Sequence, residues 1–202
     1  ALSPGLPPVL SRVAPSKRAG LQKLINKAGV PTSFLDTMEN WAVAVTLASA
    51  TLKDLNVSPD DGVERQLTRI FSAAHKPVAG LETTPQQLGY FDTLSAKAQE
   101  TFLESMVDDA EDADTEFRKM IRAWSRGDEK AIALSFDDEL KLSPELADIL
   151  LRQRNRNWTA WLAKRMEKPG TIFVAVGAGH LAGSDSVQNM LAKQGFKTTR
   201  VQ

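Results

Sequence analysis

The stretch GAGHLAG, Gly177 to Gly183, joins an apolar run to a following helical pattern and carries one of only two histidines in the chain. A histidine at the end of a buried strand can serve as a metal ligand or as a general acid or base. Gly177 and Gly179 would let a ligand approach the backbone there. Three readings stand side by side for His180: a dinucleotide loop, a tight turn with a hydrogen-bonded imidazole, and a site histidine. The G-x-G-x-x-x-G spacing departs from the dinucleotide pattern, and no acidic ribose partner follows. Glu82 in LETTPQQ also follows a short apolar run, Pro77 to Leu81. It reads equally as a ligand or base and as a carboxylate near a helix N-terminus. RQRNRNWTAW puts three arginines before Trp158 and Trp161. Arg154 lies four residues before Trp158, so it shares a face with it, and a semi-buried guanidinium needs a carboxylate or an anionic ligand. His75, the other histidine, reads as a helix-end residue.

The chain has no cysteine, which removes disulfides, thiolate chemistry and zinc–thiolate sites. Two histidines cannot build a His-rich zinc site; a divalent-ion site of one histidine plus carboxylates, or one completed by residues outside this sequence, stays open. Lys+Arg and Asp+Glu both total 25, so no long-range field attracts nucleic acid. No segment approaches the roughly 18 apolar residues of a membrane span. The acidic run Asp108 to Glu116 lacks the glycine and spacing of a calcium loop. Neither a P-loop nor a nucleophile elbow occurs.

The elements that must position these residues read as helices separated by short apolar runs. Leu21, Leu24, Ile25 and Ala28 form a helical stripe ended by Gly29 and Pro31. A second helix is predicted from Met38 to Leu52. Val63, Leu67, Ile70, Phe71 and Ala74 give a third, with Asp60 or Asp61 as N-cap. Ser95 to Leu140 reads as helical with a break at Gly127. Its stripes are Leu103, Met106, Val107 and Ala110, then Phe117, Met120, Ile121 and Trp124. Ser143-Pro144 starts a helix running to Met166, with Leu146, Ile149, Leu150, Trp158, Trp161 and Leu162 inward. Pro77–Leu81, Thr171–Val176 and Phe196–Val201 read as buried strands, and Asp185–Lys193 as a helix closed by Gly195. Together these predict one α/β domain over residues 1–202, a small, mostly parallel sheet surrounded by many helices. Parallel strand ends would then bring Glu82, Arg154 and His180 around one crevice.

Several stretches together resemble the TraB/GumN family, which is related to the Tiki proteases. They are GVERQLTRIFSAAHKPVAGLETTPQQ, the Ala-Trp and Gly-Asp at Ala123, Trp124, Gly127 and Asp128, RQRNRNW, and FVAVGAGHLAG with a closing QGFKTTRV. The family carries two G-x-x-H motifs, and Gly177 to His180 matches the second. Gly62-Val63-Glu64 stands where the family usually has Gly-Val-Asp. LSPGLPPVLSRV resembles the segment that follows the first motif. The resemblance therefore implies that the family's N-terminal strands lie outside this sequence. It further implies a metal-dependent hydrolase, peptidase-like, acting on a peptide or small molecule, in a periplasmic or envelope location. A non-catalytic peptide- or signal-binding protein using the same crevice is the alternative. In the hydrolase reading His180 and Glu82 are ligands or acid/base groups, Arg154 stabilises an oxyanion or a substrate carboxylate, and Asn155 positions a neighbour. A sheet lacking those strands would have an open edge, favouring self-association or retention of a cleaved N-terminal fragment.

Overall fold

Helical periodicity dominates the sequence, and helices dominate the structure. The computed structural model describes residues 1–54, 60, 62–108, 113–141 and 143–201, which divide into two compact units, Ala1–Asp112 and Ala113–Gln202.

In the first unit the predicted stripe of Leu21, Leu24 and Ile25 is the buried face of α1, Arg18–Ala28. After the short α2, Thr32–Leu35, comes α3, Asn40–Asp54, which packs along α6, Ala96–Asp108. Leu21, Ile25, Leu35, Val43 and Leu103 are almost completely withdrawn from solvent and form the centre of this core. At ~25 cal/mol per Å² of apolar surface, such side chains are its main source of stability. Arg12 staples the segment ahead of α1 to the core: its guanidinium donates to the carbonyls of Pro7 (2.6 Å), Asp36 (2.6 Å) and Met38 (2.5 Å). Burial lowers the Arg12 pKa, and the nearby Asp36 carboxylate opposes that shift.

Other stripes are helical without being buried. In α4, Val63–Ala73, no residue is buried, and Val63 and Ile70 are exposed. Its N-cap is Gly62, not Asp60; Asp61 lies outside the described residues. His75 follows the helix with φ 52 and donates its backbone N–H to Ser72. α5, Thr84–Asp92, begins at Thr83 with a capping box in which Thr83 and Gln86 satisfy each other's backbone N–H groups.

The second unit holds α7, Ala113–Ser125, α8, Glu129–Lys141, α9, Pro144–Ala147, α10, Gln153–Met166, and α11, Val187–Lys193. Ser143 caps α9 by accepting from the Leu146 N–H. A single π-helical turn, Asp148–Arg152, joins α9 to α10. Trp161, assigned inward from the sequence, and Ile121 and Trp124, members of a predicted helical stripe, are exposed.

The predicted sheet is corrected by the structure. Among the described residues no strand is present, and the one pairing is an isolated antiparallel bridge between Leu2 and Met38. Pro77–Leu81, Thr171–Val176 and Phe196–Val201 are neither helix nor strand. The chain is therefore an all-helical fold and not an α/β domain. A strand needs a partner for every second N–H and C=O, so β-branched composition reports only what a segment could do beside one. Phe173, assigned to a strand covered on both faces, is 63% exposed. The sheet edge invoked for self-association is likewise absent among the described residues.

Candidate functional site around His180

The site in the second unit is built on α10. Its apolar face buries Trp158 and Leu162, and the residues alternating with them bring polar groups to the same surface. Asn155, one turn before Trp158, is fully buried. A buried carboxamide must find partners, and it finds them on the segment between residues 178 and 186. There Gly177 leads into a short 3-10 turn, Ala178–Leu181, closed by the Gly177 carbonyl accepting from the His180 N–H (2.9 Å). Gly183 follows at φ 73, the left-handed conformation that turns the chain toward α11 and that glycine adopts without strain.

Asn155 makes two short contacts to this loop and a longer one, from Nδ2 to the His180 carbonyl at 3.5 Å. Its Nδ2 lies 2.7 Å from the Asp185 carbonyl and its Oδ1 lies 2.7 Å from His180 Nδ1. A carbonyl oxygen only accepts, so the first contact fixes which end of the amide is the donor. The oxygen then faces His180, and Nδ1 must carry the proton. A metal ion or a substrate proton would therefore be met at Nε2. The imidazole also packs against Trp158, with ring centroids 4.4 Å apart and planes tilted by 50°. The Arg154 guanidinium lies 5.0 Å above the Trp158 ring, so Arg154, Trp158 and His180 form one continuous surface.

More side chains hold the loop. Arg152 Nε donates to Asp185 Oδ2 (3.0 Å), Asn189 Nδ2 donates to the Gly183 carbonyl (2.9 Å), and Gln188 Nε2 donates to the Leu181 carbonyl (2.5 Å). Asp185, Gln188 and Asn189 were not singled out in the sequence. The polar residues clustered just after GAGHLAG were the available signal. The π-helical turn that ends at Arg152 left no recognisable pattern, although such turns recur at functional sites.

Of the site residues expected from sequence, Arg154, Asn155 and His180 are brought together. Gly177 and Gly179 lie in the same turn, with Gly179 buried. Gly177 has φ −56, and a Cβ there would only touch His180 Cδ2 at 3.7 Å, so this position makes no steric demand for glycine. Glu82 belongs to the first unit, in the turn before Thr83. There Gly80 approaches so closely that a Cβ would sit 2.7 Å from the Glu82 carbonyl oxygen. The parallel strand ends that placed Glu82 beside His180 in the sequence reading are not found among the described residues.

As a metal centre the donor set does not fit. His180 offers one imidazole nitrogen, and the carboxylate on its loop, Asp185, is engaged by Arg152. Among the described residues no group of three or more His, Asp or Glu side chains gathers at ligand distance, whereas a closed site usually takes three or more protein ligands.

A helical domain with a histidine loop held by a buried asparagine defines a class of site; sequence comparison supplies the family. The model of the TraB/PrgY/gumN family matches residues 1–200, and the chain belongs to that family. It is 26% identical over 180 residues to the uncharacterized protein YbaP of Escherichia coli (strain K12), and equally to that of Shigella flexneri. Each alignment covers 89% of this chain and 66% of the relative, so the chain spans just under two thirds of the length of the curated relatives it matches. No solved structure matches. Among the described residues no helix is long and apolar enough to cross a membrane.

Proposed function

We propose that this chain carries the His180 side of a hydrolase site acting on peptide bonds, the metal-dependent activity that the family resemblance implies. The observation that supports this reading most is the Asn155–His180 hydrogen bond of 2.7 Å, which sets the imidazole with its proton on Nδ1. In the proposed step, Nε2 takes a proton from water as the water oxygen attacks the peptide carbonyl carbon. The carbonyl electron pair moves onto oxygen, where Arg154 meets the developing charge. The oxyanion then collapses, the C–N bond breaks, and the proton on Nε2 passes to the leaving amine. Asn155 keeps the ring oriented throughout.

The reading rests on His180, Asn155 and Arg154 and assigns no role to Glu82. Since the described residues supply one imidazole toward a divalent ion, the 202-residue chain is expected to take up such ions weakly. A periplasmic or envelope location belongs to the same proposal.

A peptide library incubated with the protein, with divalent ions or with chelator, and read by mass spectrometry tests it. Cleavage that needs His180 is expected, weak in this chain because its described residues do not gather the donors to hold the ion. Peptides retained uncleaved on dialysis would favour the non-catalytic binding protein instead. Cleavage unchanged in His180→Gln would end the proposal.

A further inference from the structure

The hydrogen bond that sets His180 depends on which way the Asn155 amide faces, and the two ends of a carboxamide have nearly the same shape. The Asp185 carbonyl, 2.7 Å from Nδ2, does most to distinguish them, with the His180 carbonyl a longer second acceptor at 3.5 Å. That carbonyl belongs to the loop between the 3-10 turn and α11. The Asp185 side chain is tied to Arg152 through Nε and Oδ2 at 3.0 Å. Arg152 closes the π-helical turn and stands three residues before Asn155, so both residues reach the loop from one face of the same helix. The competing carboxylate, Asp148, is 3.9 Å from Arg152 but 3.2 Å from Arg156, which leaves Arg152 directed at Asp185.

We propose that the Arg152–Asp185 ion pair is a positioning device for His180, acting through Asn155. The pair holds the Asp185 carbonyl where it orients the amide, and the amide holds the proton on His180 Nδ1. Both side chains are partly exposed, 38% and 41%, so the pair adds little to stability, and its contribution is orientation. The proposal deepens the reading of His180 as the working group and takes its functional meaning from that reading.

The test is the ring-nitrogen NMR spectrum of the metal-free 202-residue chain. His75 serves as internal control, because the chain has only two histidines. In the unmodified protein the two His180 nitrogens are expected at widely separated shifts, the signature of one neutral tautomer. In Asp185→Ala and Arg152→Gln they are expected to move toward each other as the tautomers interchange, with the His75 signals unmoved. Arg152→Lys, which keeps the charge, is expected to restore most of the separation. Retention of the single Nδ1–H tautomer in both Asp185→Ala and Arg152→Gln would overturn the proposal. So would an Arg152→Lys spectrum averaged as fully as that of Arg152→Gln. Peptide cleavage is scored separately: averaged tautomers with no cleavage by the unmodified protein would uphold the device and sink the hydrolase reading. Cleavage with unmoved tautomers would do the reverse.

Discussion

Replacing Asn155 by alanine removes the side chain that hydrogen-bonds α10 to the histidine loop. The residue is fully buried, and it makes two 2.7 Å hydrogen bonds, to the Asp185 carbonyl and with His180 Nδ1. Leaving a buried polar group without its partner costs ~1–3 kcal/mol. The Asp185 carbonyl takes most of that penalty, while the partly exposed imidazole can turn to water and stays near the lower bound. The void left by the carboxamide adds about 1 kcal/mol. The sum is about 3–5 kcal/mol, and at ~2–4 °C per kcal/mol for a chain of this size the melting temperature should fall by roughly 6–20 °C. Circular dichroism melts, with chemical denaturation for the free energy, measure it. A loss below ~1 kcal/mol would show that the amide is not bonded as described and would remove the basis for a fixed His180 tautomer.

The hydroxyl of Thr159, one turn beyond Asn155, is buried with no hydrogen-bond partner. Thr159→Val should therefore be neutral or stabilising by up to ~1 kcal/mol in denaturant unfolding, and a clear loss would reveal a partner. In the first unit, Arg12→Met strips donors from the Pro7, Asp36 and Met38 carbonyls and should cost about 2–3 kcal/mol, with part of the loss recovered by Arg12→Lys. On α7, the hydrogen bond from Arg118 holds the Asp114 carboxyl below its ordinary range. A depressed pKa adds stability above the unfolded value, and that stability is lost as pH falls through the folded one. Asp114→Asn should therefore reduce helicity slightly at neutral pH, and circular dichroism should show the difference begin to shrink near about pH 4 and vanish only below the lowered folded value.

What was legible in the sequence was local. The stripe of α1, the Ser143 cap and the helix end at Met166 follow from neighbours within one or two turns. Non-local pairing was not legible. TIFVAV has a strand's composition, yet its status depends on a partner that composition does not name. Amphipathic stripes were overread in the same way: Ile70 and Trp124 lie on regular helical stripes and are exposed. In the site, Arg154, Asn155 and His180 were found because RQRNRNW and GAGHLAG are distinctive. Arg152 and Asp185 carry ordinary surface chemistry and acquire a role only through the loop that folds back onto α10.

The central claim is that Asn155 leaves His180 Nε2 as the atom that acts. Titrating the unmodified chain with zinc or cobalt while following the ring nitrogens of both histidines tests it directly. The account predicts that His180 Nε2 responds first, that Nδ1 keeps its proton, and that Asn155→Ala abolishes this selectivity. A response at His75 alone, or at His180 Nδ1, would contradict it.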